Sequence, residues 1–121
     1  MLTFHCPYPP SVNSIYRTFR NRIIISKLGR EYIDDCIRSL KHQILTKDTQ
    51  FPLTSKLRVR YDVHCPDGRR RDLANLDKVL SDCFTKAGVW TDDFDIDDLR
   101  FVRGSIEREH PCIIANIEEL K

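Results

Sequence analysis

Residues 56–87 leave the chain few ways to fold. From Lys56 to Cys65 the residues alternate: Leu57, Val59, Tyr61 and Val63 fall on one face, and Arg58, Arg60, Asp62 and His64 on the other. A period of two predicts a half-buried strand with a basic outer face. Pro66-Asp67-Gly68 is a turn. The period then changes, and Leu73, Leu76, Val79, Leu80, Cys83, Phe84 and Ala87 fill one helical arc of about 140°. That predicts an amphipathic helix over 73–87, with Gly88 as its C′ residue. A one-faced strand running into a one-faced helix calls for a sheet with a helix laid on it.

The flanks extend this plan. Residues 2–6 read as a short strand. Pro7 to Ser14 reads as neither helix nor central strand, because its prolines remove donors and fix φ. Ile23-Ile24-Ile25 favours a strand, and Ser26 is a good N-cap. Leu28, Tyr32, Ile33, Cys36, Ile37, Leu40 and Ile44 predict a first helix over 27–47, in which Gly29 weakens only the first turn. Residues 47–55 are a polar loop. Strands are expected over 99–107 and 112–120, with Gly104 as a bulge and Arg108-Glu109-His110-Pro111 as a hairpin turn. The expectation is one α+β domain over residues 1–121, with one mixed sheet and two main helices.

With 121 residues the chain can bury a core of its own. It has no apolar run of the roughly 20 residues that a membrane span needs, and its first residues lack signal-peptide character. The expected location is cytoplasmic, with no membrane partner. The five cysteines include no CxxC pair and no His at zinc spacing, so they read as small buried hydrophobes. The four histidines are scattered, and neither a nucleophilic triad nor a phosphate-binding glycine loop is present.

Net charge is +2, but residues 1–71 hold 14 Lys+Arg against 6 Asp+Glu, and residues 72–121 hold 6 against 12. Either the two halves neutralise each other across one sheet, or a basic surface for a polyanion lies beside an acidic metal pocket.

The second alternative has its residues in Arg69-Arg70-Arg71-Asp72-Leu73-Ala74-Asn75-Leu76-Asp77-Lys78, followed by Trp90-Thr91-Asp92-Asp93. Cations for phosphate, carboxylates for a divalent metal and a positioned ammonium are what phosphodiester hydrolysis requires. Each residue also has an ordinary reading. Asp72 suits an N-cap, and the three arginines suit a solvated loop. Lys78 lies on the polar face of its helix, and an acidic loop such as Asp92-Asp93 is commonly exposed surface. A metal needs oxygen donors from separate places, and Asp72 and Asp93 supply them only if the loop folds back to the helix start.

At these residues the sequence resembles the RusA family of Holliday junction resolvases. Pro9-Pro10-Ser11-Val12-Asn13 with Tyr16-Arg17 is similar to the family's N-terminal segment. Residues 69–78 are similar to its central signature, and Thr85 to Asp93 to its last one. The resemblance implies a homodimeric, Mg²⁺-dependent crossover junction endodeoxyribonuclease, with Mn²⁺ able to substitute. It implies binding of four-way junction DNA and paired symmetric nicks in recombination and repair, in a protein of the kind prophages carry. Matched position by position, Asp72, Asp93 and Lys78 are the catalytic residues. Asp72, Asp93 and Asp92 are the metal ligands, Asn75 is a supporting residue, and Arg69, Arg70, Arg71, Asn13 and Arg17 face DNA. One motif carboxylate is missing, because Ala74 stands in its place. The alternative is therefore a junction-binding protein that Ala74 has crippled as a catalyst.

Overall fold

The computed structural model describes residues 1–120, except the side chains of Val12 and Asn13, so the reading of Asn13 lies outside the described residues. Strand β4 (Lys56–His64) is as the alternation requires, with Leu57, Val59, Tyr61 and Val63 fully buried. Around it stand β1 (Leu2–Pro7), β5 (Ile96–Arg103) and β6 (Cys112–Leu120), in the order β1-β6-β4-β5. β6 pairs antiparallel with both neighbours, and β5 pairs parallel with β4. The sheet is mixed and the fold α+β, as expected.

A parallel neighbour requires a crossover, and α3 (Asp77–Ala87) supplies it between β4 and β5. α2 (Lys27–Leu45) packs against α3 and β1. Ser26 caps α2, its Oγ accepting from Gly29 N at 3.0 Å. The aromatic core gathers on Phe84, which stacks on Trp90 at 4.9 Å and meets Phe4 and Tyr61 edge-on.

Several expectations are corrected. The residues before Asp77 form a 3-10 turn, Leu73–Leu76, rather than the first turn of an α-helix. A three-residue repeat keeps Leu73 and Leu76 on one side, and both pack against the core. Residues 108–111 do not close a hairpin, because β6 lies beyond β4 from β5. β5 ends at Arg103, so Gly104 lies outside it, and the irregularity in pairing falls between Leu57 and Arg58. Downstream of the prolines, residues 12–15 form one helical turn, α1 (Val12–Ile15), where a non-helical run was expected. A separate ribbon follows: β2 (Tyr16–Phe19) pairs with β3 (Arg22–Ile25).

The basic outer face of β4 is neutralised within the sheet, by its neighbours and by its own Asp62. Arg58 pairs with Asp98 at 2.9 Å and Glu118 at 3.2 Å, and Arg60 with Asp62 at 3.0 Å. For this face the reading of mutual neutralisation holds. Among the described residues no helix is long and apolar enough to cross a membrane.

Candidate functional site

The loop from β4 to α3 is built on Asp67. Its Oδ1 accepts from Arg69 N at 3.0 Å and pairs with Arg71 Nη1 at 2.8 Å. The Arg71 guanidinium, followed by the Arg69 amide, holds the Asp67 carboxyl below the usual range. Arg71 also donates to the Asp67 carbonyl and lies 6.0 Å from the centre of the Tyr8 ring. It is committed to folding the loop. Arg69 and Arg70 are exposed beside it. With Tyr8, Pro9, Pro10, Ser11, Asp72 and Asn75 these arginines line a cleft of about 490 Å³.

Asp72 occupies the cap position of the 3-10 turn, yet its side chain makes no capping bond. Its carboxylate is exposed, so the capping reading fails. Ala74 is also exposed on this turn. Asp77, three residues on, is turned toward Ser81, accepting from its hydroxyl at 3.0 Å.

Lys78 sits in the first turn of α3 with its ammonium 4.9 Å from the centre of the Tyr16 ring. That contact fixes an otherwise flexible side chain. Burial, followed by the Asp82 charge, pushes the Tyr16 hydroxyl up to about 12, so Tyr16 stays neutral.

The acidic end is tied to the core. Asp93 Oδ1 accepts from Thr85 Oγ1 at 2.7 Å and from Trp90 Nε1 at 3.0 Å. Trp90 is 1% exposed, so a buried indole orients an exposed carboxylate. Asp92 caps the 3-10 turn Asp93–Asp95 through Phe94 N at 2.9 Å. Asp92 and Asp93 share a cleft of about 210 Å³ with Asp82, Thr85, Lys86 and Thr91.

Asp72 and Asp93 flank opposite ends of α3 and line different clefts. α3 runs back between two parallel strands, so its ends lie at opposite ends of those strands. Its 11 residues span about 16 Å. Among the described residues no three His, Cys, Asp or Glu gather where one metal ion would bind. Each donor present is a carboxylate, the chemistry a hard divalent cation takes, but the donors form two separate groups. Arg17 is exposed on the β2–β3 ribbon. The sequence assigned no individual role to Asp82, Thr85 or Tyr16, although Tyr16 and Thr85 fall within the signature segments. Asp82 carries one signal, its position four residues after Lys78 on the polar face, whereas the contact of Tyr16 with Lys78 is tertiary.

The family model described as endodeoxyribonuclease RusA matches residues 7–117. A protein of Enterobacteria phage 82, named crossover junction endodeoxyribonuclease, is 42% identical over 105 residues, covering 85% of this chain and 84% of the relative. Proteins of the same name from Shigella sonnei and Escherichia coli K12 are 42% and 41% identical over 97 residues, each covering 80% of this chain and 78% of the relative. With the signature residues placed as described, this chain belongs to the RusA endodeoxyribonuclease family.

Proposed function

We propose that this chain is a Mg²⁺-dependent, cytoplasmic endodeoxyribonuclease that binds four-way junctions as a homodimer and nicks two strands symmetrically. The observation that carries the reading is Asp93. Two side-chain donors from the core fix one of its oxygens, and it lines a cleft with Asp82 and Asp92. Natural folds do not usually invest a buried tryptophan in orienting an exposed carboxylate without a use for it.

Asp93 and Asp92, with Asp72, would hold the cation, which supplies water activation and charge neutralisation at the scissile phosphate. Lys78, steadied over Tyr16, offsets charge developing on the leaving oxygen. Arg69 and Arg70 hold backbone phosphates, which makes binding responsive to shape and salt. The separation of Asp72 from Asp93 supports the dimer, because a two-fold axis can set the Asp72 end of one α3 beside the Asp93 end of the other. It also gives two sites for two nicks.

The alternative reading, a junction-binding protein with a crippled site, has one observation in its favour. Asp77, the first carboxylate after Ala74 in the chain, is engaged with Ser81. Comparing the chain with its Ala74→Asp variant on a labelled junction tests both readings. The nuclease reading expects Mg²⁺-dependent paired nicks, raised by orders of magnitude in the variant. Tight binding with no nick from the unaltered chain, and nicks only from Ala74→Asp, would mark it as a binding module crippled at Ala74.

A further inference from the structure

The β2–β3 ribbon stands apart from the main sheet. Its root is fixed: Ser26 N donates to Ile15 O at 2.8 Å, and Tyr16 lies under Lys78. From Arg17 to Ile24 every residue is exposed. Two strands alone are marginal in water, and this pair also carries an unusual surface. Phe19 is 58% exposed, Ile23 70%, Ile24 42% and Leu28 50%. These are four of the nine large apolar side chains exposed among the described residues. Residues 16–30 also hold five cations, Arg17, Arg20, Arg22, Lys27 and Arg30, and no Asp or Glu. Among the described residues none of the five forms an ion pair.

The ribbon's geometry puts both properties on one face. The pairs Arg17↔Ile24 and Phe19↔Arg22 lie directly opposite each other, so these four side chains share a side. The two-residue turn, Arg20-Asn21, has φ of 49° and 63°. Asn accepts that conformation readily and Arg at a cost. Arg20 lies over the Phe19 ring at 5.3 Å.

An exposed apolar patch marks a partner surface, and the charge indicates which partner. A two-fold contact of ribbon with ribbon would set five cations against five. Nucleic acid satisfies both features, since phosphates take the guanidinium groups and base faces take the aromatic ring. A two-stranded ribbon also fits the major groove. Phe19 lies three residues beyond Tyr16, about 10 Å along the strand, or roughly three base-pair rises. Resting on the junction-nuclease reading above, we infer that the ribbon is a junction probe. Phe19 stacks into the open base step at the branch point, and Arg17, Arg20 and Arg22 hold the flanking phosphates. A continuous duplex must first be unstacked to admit such a wedge, whereas a branch point already presents a free base face. The ribbon therefore sets selectivity for branched DNA.

The test uses the full chain, EDTA to prevent cutting, and a four-way junction carrying 2-aminopurine beside the branch point. Binding by the unaltered chain should change the 2-aminopurine fluorescence as the stacking at the branch point changes. Phe19→Ala should abolish the change and weaken junction binding about 5- to 150-fold, the range for losing one aromatic–base stack. Duplex binding should fall less than about 2-fold, while Phe19→Trp restores both junction readouts. Replacing Arg17, Arg20 and Arg22 by Gln should lower the salt slope by up to about 2.7. Unchanged affinity and fluorescence in Phe19→Ala, or its dissociation to a monomer in sedimentation while the unaltered chain stays dimeric, would overturn the inference alone. Failure of the unaltered chain to bind the junction would overturn the nuclease reading and this inference with it.

Discussion

Replacing Gly29 by alanine sets two physical effects against each other. Helix propensity favours alanine by about 1 kcal/mol in a helix interior, and less at the third residue of α2. Packing opposes it. A β-carbon at Gly29 would lie 2.8 Å from Ile15 O and 2.9 Å from both Ile15 Cα and Cγ2. Two of these atoms are backbone, so no rotamer change relieves the overlap and the α1–α2 contact must open. Overpacking costs about 1–3 kcal/mol, and a contact with backbone belongs at the upper end. The net loss is about 2–3 kcal/mol, which for a chain of this size lowers Tm by roughly 8–12 °C. Gly104→Ala is the control. Its three nearest atoms all belong to the His64 side chain rather than to backbone, so the ring can turn away at the cost of its bond to Ser105 O, and the loss should be about 1 kcal/mol. A thermal melt of the three proteins decides, and a Tm that rises in Gly29→Ala would refute the reasoning. The site responds as well, because Ile15 leads directly into Tyr16.

Further expectations concern how the site is held. Thr85→Val removes the 2.7 Å bond to Asp93 and the 3.0 Å bond accepted from Trp90 Nε1, while Trp90 keeps its own bond to Asp93, and should cost about 1–2 kcal/mol in urea unfolding. Trp90→Phe also leaves a void beneath Asp93 and should cost about 2–3 kcal/mol. Tyr16→Phe keeps the ring under Lys78 and should leave stability and cleavage unchanged. Tyr16→Leu frees the lysine and should slow cleavage by roughly tenfold in the Ala74→Asp background, an estimate of about 1.4 kcal/mol for the lost cation–π contact, with the circular dichroism spectrum unaltered. If Asp72 and Asp93 act across a dimer, Asp72→Asn and Asp93→Asn chains, each inactive, should recover about a quarter of the sites when mixed. No recovery would place each site within one chain.

What the sequence made legible follows from local physics. The alternation in β4, the Ser26 cap, the α2 periodicity and Gly88 at the end of α3 each depend on a few neighbouring residues. The β4–α3–β5 crossover did not show, because partner choice in a sheet is a long-range decision, and the turn-like run at 108–111 pointed to a hairpin that β6 does not make. Gly29 looked like a mild helix weakness because the approach of Ile15 is tertiary. The 3-10 turn was missed because the three-residue spacing of Leu73 and Leu76 fits both helical periods. The chemical residues were recognisable by type and order, but their separation along α3 depends on topology.

The most direct measurement is a labelled four-way junction incubated with this chain, with and without Mg²⁺, and resolved on binding and denaturing gels together. The account predicts a salt-sensitive retarded complex in both conditions and paired symmetric nicks only with Mg²⁺, strongly increased by Ala74→Asp. A chain that forms no complex at low salt, or an Ala74→Asp protein that binds without nicking, would contradict it.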